Sequence, residues 1–352
     1  TSKTSYNGNY GLNASWTIYN GSKRLNTIKQ EKLNNQAANL DVETSENSIQ
    51  ESIAQIYIQI LYAAESVKVN ENTLQVSIAQ RDRGQELLNA GSIAKSDLAQ
   101  LEAQVSTDRY QLVTAKATLQ DYKLQLKQLL ELDGENEMNV YLPALSDENV
   151  LLPLPTKKDV YMSALTLRPE IEASKLSVEA SELGIDIAKA GYLPTISLSA
   201  GIGTNHTSGS DFTFGEQVKN GWNNSIGVSV SVPIFNNRQT KSAVQKAKLQ
   251  RETSLLSLLD EQKTLYKTIE GLWLDANSAQ QRYAAANEKL KSTQISYDLI
   301  SEQFNLGMKN TVELLTEKNN LLQAQQEQLQ AKYMAILNTQ LLKFYQGDKL
   351  AL

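Results

Sequence analysis

Two periods run through this sequence, and they occupy different stretches. In three short segments apolar and polar residues alternate strictly. Tyr6, Tyr10, Leu12, Ala14, Trp16 and Ile18 stand against Asn7, Asn9, Asn13, Ser15 and Thr17. Tyr192, Ile196, Leu198, Ala200 and Ile202 stand against Thr195, Ser197 and Ser199. Ile226, Val228, Val230, Val232 and Ile234 stand against Asn223, Ser225, Ser229 and Ser231. Successive side chains of a strand point to opposite faces, so the alternation predicts strands over 6–19, 192–203 and 224–235. Such strands fit a barrel with lipid outside and a watery lumen within. A half-buried antiparallel sheet of a soluble domain alternates in the same way. The Gly-, Ser-, Asn- and Thr-rich segment 204–221, which holds the one histidine, His206, predicts a solvated loop between two strands.

Elsewhere the period is seven. Ile49, Ile56 and Ala63 form one row, and Ile53, Ile60, Val67 and Leu74 another. Further on, Leu265, Leu272, Ala279 and Ala286 run beside Ile269, Ala276, Tyr283, Leu290, Tyr297 and Phe304. Leu98, Val105, Leu112, Leu119 and Leu126 are partnered by Leu101, Ala115, Tyr122 and Leu129, and a fourth segment carries Leu315, Leu322, Leu329 and Ile336. Heptads sustained this long predict coiled-coil packing of long helices. The stretch 22–90 has no proline. As one helix it would span about 100 Å at roughly 1.5 Å per residue. Gly91 and Gly307 interrupt the pattern, which then resumes. A glycine there can take the left-handed conformation that ends a helix and turns the chain back. Return helices are expected over about 93–132 and 309–345, and one further helix over 157–190.

The segments repeat at a constant offset. Trp16-Thr17-Ile18-Tyr19-Asn20-Gly21 resembles Val232-Pro233-Ile234-Phe235-Asn236-Asn237, and Gly91 falls on Gly307, in both cases at an offset of 216. Ile56-Tyr57-Ile58 falls on Leu272-Trp273-Leu274 at the same offset. Tyr57 and Trp273 are expected to be packing residues.

Composition narrows the function classes. Only 6 Pro and 17 Gly in 352 residues, with long Ala-, Leu-, Gln- and Lys-rich stretches, favour long helices. The net charge of -5, with both signs interspersed, offers no basic stripe for nucleic acid. No apolar run reaches the roughly 18–20 residues of a membrane-spanning helix. With no cysteine, one histidine and four methionines, neither thiol chemistry nor a dedicated transition-metal site is expected, and no cofactor. His206 has no acidic or nucleophilic arrangement beside it in sequence, and Gly201-Ile202-Gly203 lacks the third glycine and helix of a phosphate cradle. An enzyme is therefore not expected.

A strand pair, a long helical hairpin, a belt, and the whole repeated once: in this order the features resemble the TolC-type outer membrane factor family. Leu167-Arg168-Pro169-Glu170 through Ala190-Gly191-Tyr192-Leu193-Pro194 looks like that family's helix-to-strand entry. The tips Ala90-Gly91-Ser92-Ile93 and Leu306-Gly307-Met308-Lys309 look like its periplasmic hairpin turns. The resemblance implies a mainly α fold with a small β part, in which helical hairpins forming an α-barrel join transmembrane β-barrel strands, duplicated at the offset of 216. It divides the chain into a strand (1–21), a hairpin (22–132), an equatorial belt (133–156), a helix (157–191), a strand pair with an extracellular loop (192–235), a second hairpin (236–345) and a tail (346–352). By the repeat, a helix and a strand of the first copy, about 60 residues, would precede Thr1.

Function follows from the same resemblance. Members are homotrimeric channel-tunnels in the outer membrane, held in its lipid, whose helices reach into the periplasm. There they meet a periplasmic adaptor protein and an inner-membrane transporter, in multidrug efflux or type I secretion. The tips Ala90, Gly91, Ser92, Ile93, Leu306, Gly307 and Met308 would dock the adaptor. In the family a carboxylate six positions after the second tip glycine and another nine after narrow the entrance; here these are Glu313 and Thr316, so the second carboxylate is missing. Asp97 is the equivalent of Glu313 in the first copy, and the family ties it to a basic residue, here Lys309, and to a tyrosine, here Phe304. The competing reading is a soluble periplasmic coiled-coil adaptor or scaffold, which would carry one hairpin and lipoyl-like β domains without the repeat.

Overall fold

The computed structural model describes residues 4–132, 138–143 and 150–350. The chain divides into two compact units, residues 1–41 with 169–261 and residues 42–168 with 262–352. In chain order the elements are β1 (Asn7–Asn20), α1 (Lys23–Asn89), α2 (Lys95–Leu129), α3 (Lys157–Leu167), α4 (Pro169–Lys189), β2 (Thr195–Thr207), α5 (Phe214–Asn220), β3 (Asn223–Ser231), α6 (Gln239–Asn305) and α7 (Thr311–Gln346). A single 3-10 turn, Ala190–Tyr192, separates α4 from β2. The fold is dominated by helices, two of them 67 residues long.

The first unit holds an antiparallel sheet in the order β1-β2-β3. Its register sorts the two faces. Leu12, Ile202 and Asn224 align, then Ala14, Ala200 and Ile226, then Trp16, Leu198 and Val228. The opposite face aligns Ser15 with Ser199 and Gly227, and Thr17 with Ser197 and Ser229. One expectation is corrected here. The register shifts between Thr17 and Tyr19, so Tyr19, not Ile18, pairs with Ile196 in the apolar row. An extra residue in one strand flips every side chain beyond it. Two ends also differ from expectation. Tyr192 belongs to the 3-10 turn, and β3 stops at Ser231, because Pro233 has no N–H for a ladder. The segment expected as loop from 204 continues β2 to Thr207 and then forms α5, with His206 inside the strand and its ring 5.0 Å from that of Phe214.

Each long helix is entered through two left-handed residues, Gly21 and Ser22 before α1, Asn237 and Arg238 before α6. At Gly21 a Cβ would also lie 2.8 Å from Leu193 Cβ, so only glycine fits. Within this unit α4 lies against both helix starts: Gln30 Nε2 donates to the Ala180 carbonyl at 2.7 Å, and Arg251 Nη2 reaches Glu182 at 3.0 Å.

The predicted heptad rows pack the second unit in part: on α7 the row of Leu315, Leu322, Leu329 and Ile336 is only half-buried, with Leu314, Leu321, Ala335 and Leu342 buried instead, and on α1 Ile49 is exposed. Along α6, Leu265, Ile269, Ala276, Ala279, Tyr283, Ala286 and Phe304 are all buried. Ala54, Ile58 and Leu61 of α1 close on Tyr333, Leu337 and Leu341 of α7. Burying an aliphatic or aromatic side chain is worth about 1.5–3 kcal/mol, so these rows hold the helices together. The belt lies partly outside the described residues (133–137 and 144–149); its described carbonyls accept from the helices. Tyr57 Oη donates to Tyr141 O at 2.8 Å, Trp273 Nε1 to Pro155 O at 3.0 Å, and Gln280 Nε2 to Leu152 O at 2.8 Å.

The single helix expected over 157–190 is broken. Arg168 is extended (φ -77, ψ 124) because the ring of Pro169 disfavours helical backbone in the residue before it. The break has a use: the Arg168 guanidinium is buried, 4.3 Å from the Tyr345 ring centre and 3.4 Å from Glu51.

Candidate functional site at the hairpin tips

Both hairpins turn by the same device. After α1, Gly91 (φ +73) donates to Leu88 O at 2.9 Å and Ser92 to Leu87 O at 2.8 Å. After α6, Gly307 (φ +74) donates to Phe304 O and Met308 to Gln303 O, each at 2.9 Å. This is the Schellman closure, which satisfies the last carbonyls of a helix and needs a residue that tolerates positive φ. A Cβ at either glycine would meet nothing within 4 Å, so backbone conformation alone selects glycine there.

The return helices start differently. At α7 the Asn310 side chain accepts from Glu313 N at 2.9 Å, and Glu313 Oε2 accepts from Asn310 N at 3.2 Å. This reciprocal box satisfies two otherwise orphaned donors. Lys309 Nζ adds an ion pair to Glu313 Oε1 at 2.5 Å. The Lys309 ammonium, with the Asn310 N–H, holds the Glu313 carboxyl below the usual carboxylate range. At α2 the N-cap is Ala94, whose side chain has no acceptor, and only the Asp97 carboxylate reaches back, to Ala94 N at 3.0 Å.

The latch expected between Asp97 and Lys309 is not made within this chain. Asp97 caps its own helix, and Lys309 takes the carboxylate four residues away on its own segment. Phe304, expected beside that latch, is instead buried, packed with Leu101 and Leu314. Thr316 Oγ1 donates to the Val312 carbonyl at 2.8 Å, on the first turns of the same helix as Glu313. Of the tip residues, Leu306, Met308 and Val312 are exposed, and Ala90, Gly91 and Ser92 are open to solvent too.

A few turns behind the tips lies a cluster that periodicity alone does not single out. Ser77, Asp108 and Lys318 have 2, 3 and 3% of their surface exposed. Lys318 Nζ donates to both Asp108 Oδ2 and Ser77 Oγ, and Ser77 Oγ donates to the same carboxylate oxygen. Gln104 Nε2 donates to Asp108 Oδ1 at 2.9 Å. Burial pulls the Lys318 ammonium below the ordinary lysine range, and the Asp108 carboxylate opposes that pull. A signal is present in the sequence: Asp108 stands in the row of Leu101, Ala115 and Tyr122, and Ser77 continues the row of Ile49, Ile56 and Ala63. Among the described residues no group of three or more His, Cys, Asp or Glu is placed to hold a metal ion.

The sequence profile of the Outer membrane efflux protein family matches residues 1–131 and 160–347. Outer membrane efflux protein BepC of Brucella suis is 24% identical over 333 residues, which cover 94% of this chain and 70% of BepC. Outer membrane protein TolC of Escherichia coli is 25% identical over 311 residues, 84% of this chain and 60% of TolC. The chain thus spans less than two thirds of TolC. Among solved structures, the Campylobacter jejuni CmeC outer membrane channel superposes with a TM-score of 0.78 at 18% identity, over 99% of this chain and 79% of CmeC. CusC superposes with a TM-score of 0.82 at 18% identity, over 98% of this chain and 83% of CusC. At such identities the structures establish the fold, and these relatives are named as membrane proteins and channels, not as enzymes.

Proposed function

Because this chain belongs to the Outer membrane efflux protein family, we propose that it is a subunit of a trimeric outer-membrane channel-tunnel, which passively conducts what inner-membrane pumps export. One observation carries the reading. The sheet presents a continuous apolar face that no described residue covers: Leu12, Trp16, Ile226, Val228 and Val230 are 60–84% exposed. In water so large an apolar patch is a liability, whereas facing lipid it is the ordinary outer surface of a barrel. The serine- and threonine-lined opposite face then borders the lumen. No helix among the described residues is long and apolar enough to cross a membrane, so in this reading the strands carry the crossing.

The internal repeat supports a homotrimer. β1 and β3 start at an offset of 216, both bounds of α1 and α6 differ by the same number, and so do the starts of α2 and α7. Quasi-equivalent helices should make equivalent contacts. Leu329 and Tyr333 of α7 pack on α1, yet Val113, at the position of Leu329, is 63% exposed on α2. Leu274, at the position of Ile58, is 51% exposed on α6. A second copy supplies the missing partner: α2 of one chain against α6 of the next closes a ring. In this assembly residues 22–132 and 236–345 are the periplasmic hairpins, 133–156 the belt, and the exposed tips around Gly91 and Gly307 meet the adaptor. Glu313 rings the entrance, with Thr316 one turn further in.

The test is extraction and conductance. Protein from cell envelopes should require detergent, run as a trimer and form pores in planar bilayers, and Glu313→Gln should weaken their cation selectivity. A water-soluble monomer without pore activity would refute the channel reading. Unchanged selectivity would refute only the role of Glu313.

A further inference from the structure

The Ser77–Asp108–Lys318 cluster has no counterpart at the repeat. Asp108 falls on Ala324, Lys318 on Glu102 and Ser77 on Thr293. Ala324 is fully buried, while Glu102 is exposed. The buried pair is therefore not part of the shared hairpin architecture; it belongs to one contact, that of α7 with α1 and α2. It is also unlike the surface ion pair at the tip. Both of its side chains are at most 4% exposed, whereas in the Lys309–Glu313 pair they are 33 and 40% exposed. The cluster continues into a polar seam along the same helices. Ser66 Oγ donates to Gln326 Oε1 at 3.1 Å, Asn70 Nδ2 to Ser66 O at 2.7 Å, and Gln104 Nε2 to Asn319 Oδ1 at 3.4 Å.

A buried ion pair is a poor source of net stability, because desolvation offsets most of the Coulomb attraction. Its strength is directional. Apolar rows tolerate sliding and rotation of one helix on another, whereas a charge buried against a hydrogen-bonded carboxylate is strongly destabilised once the two part. Lys318 stands about one turn and a half beyond Glu313 on the same helix, so whatever fixes Lys318 fixes the presentation of Glu313.

We infer that Ser77, Asp108 and Lys318 form an internal clasp that locks α7 against α1 and α2 and so holds the entrance narrow. This rests on the channel reading above. The surface residues Asp97 and Lys309 are then accessory, because each is occupied by a group close in sequence, Ala94 N and Glu313. Opening requires α7 to leave the clasp, and the two buried charges make that step the restraint.

The experiment is single-channel recording on the trimer from native envelopes. Lys318→Met and Asp108→Asn should each raise conductance several-fold over wild type. The exchange Asp108→Lys with Lys318→Asp, which restores opposite charges, should bring it part of the way back. Lys289→Met, which removes only the exposed pair with Glu327 between α6 and α7, should change conductance far less. Because the chain has no cysteine, a second arm places Asp108→Cys and Lys318→Cys in one protein. Without cross-linker this channel should conduct more than wild type, and a short thiol cross-linker should return it to the wild-type level. Folded trimers of Lys318→Met and Asp108→Asn that conduct like wild type overturn the clasp. So does a Cys-pair channel that conducts the same with and without cross-linking, which decides the matter if the single variants do not assemble. A wild-type protein that forms no pore removes the channel reading and the clasp with it; a wild-type pore unaffected by these changes removes the clasp alone.

Discussion

The hairpin α1–α2 and the hairpin α6–α7 turn through matching hydrogen bonds, with tip glycines at φ +73 and +74. Beyond the turn they part. Helix α7 begins with a full capping box and an ion pair, and its apolar side closes on α1. Helix α2 begins at an alanine whose side chain caps nothing, and it leaves Tyr110, Val113 and Leu124 exposed. The backbone of a repeat is set by a few positions, while its side chains are free to specialise. One return helix, α7, is packed within the chain, and the other, α2, leaves an apolar face exposed.

The largest expected difference lies in that face. Tyr333 is a buried ring between α7 and α1. Its removal in Tyr333→Ala should cost about 3–5 kcal/mol in denaturant unfolding. Ala117 holds the equivalent place on α2. Beside it, Val113→Ala should change chain unfolding by no more than about 0.5 kcal/mol while weakening association of copies. An unfolding loss at Val113 as large as that at Tyr333 would show that α2 is packed within its own chain.

Next comes the glycine set. A side chain forced into the left-handed conformation costs on the order of 1 kcal/mol or slightly more. Gly91→Ala and Gly307→Ala should each lose that much, and equally, since a Cβ at either position meets no neighbour. Gly21→Ala should cost more, because its Cβ also collides with Leu193. Thermal unfolding of the three variants orders them directly, and a harmless Gly21→Ala would contradict the close approach seen there.

Exchanging caps should narrow the gap between the hairpins. Asn310→Ala is expected to lose about 1 kcal/mol, and Ala94→Asn to gain a similar amount, as the missing acceptor is restored. Should Ala94→Asn bring nothing, Asp97 alone already satisfies the first turn of α2.

The smallest effect concerns pH. Lys309 and the Asn310 N–H depress the folded pKa of Glu313 below its unfolded value. Its contribution is therefore complete above the ordinary carboxylate range and disappears as pH falls through the depressed value. Glu313→Gln should flatten that part of the acid dependence. Three Glu313 carboxylates converging on an axis would push the other way, because like charges at close range favour protonation. A pKa measured in the trimer above the usual carboxylate range therefore supports the entrance ring, and one below it shows Lys309 in control.

Much of the fold is legible in the sequence because its determinants are local. Period-two alternation marks the strands, heptads mark the helices, and Gly91 and Gly307 mark turns that fall just past the ends of α1 and α6. Periodicity misleads where a residue's role depends on something outside its own row. The bulge at Ile18 is decided by the pairing of Tyr19 with Ile196; likewise the latch that the family resemblance implies is not made within this chain, where Lys309 has Glu313 four residues away. Arg168-Pro169 stands out as a motif within a stretch that periodicity reads as one helix, although the proline's effect on its predecessor is itself local.

By itself the sequence determined the three strands, the four longest helices and the two glycine turns. Each follows from side-chain period or from backbone conformations open only to glycine, and neither needs a distant partner. Only the tertiary structure decided which polar members of the apolar rows matter. Asp108 and Lys318 lie 210 residues apart, and nothing in the spacing of either says that it faces the other. A charge in a heptad row is tolerable only when the opposite charge meets it in three dimensions, and that meeting depends on how α1, α2 and α7 pack.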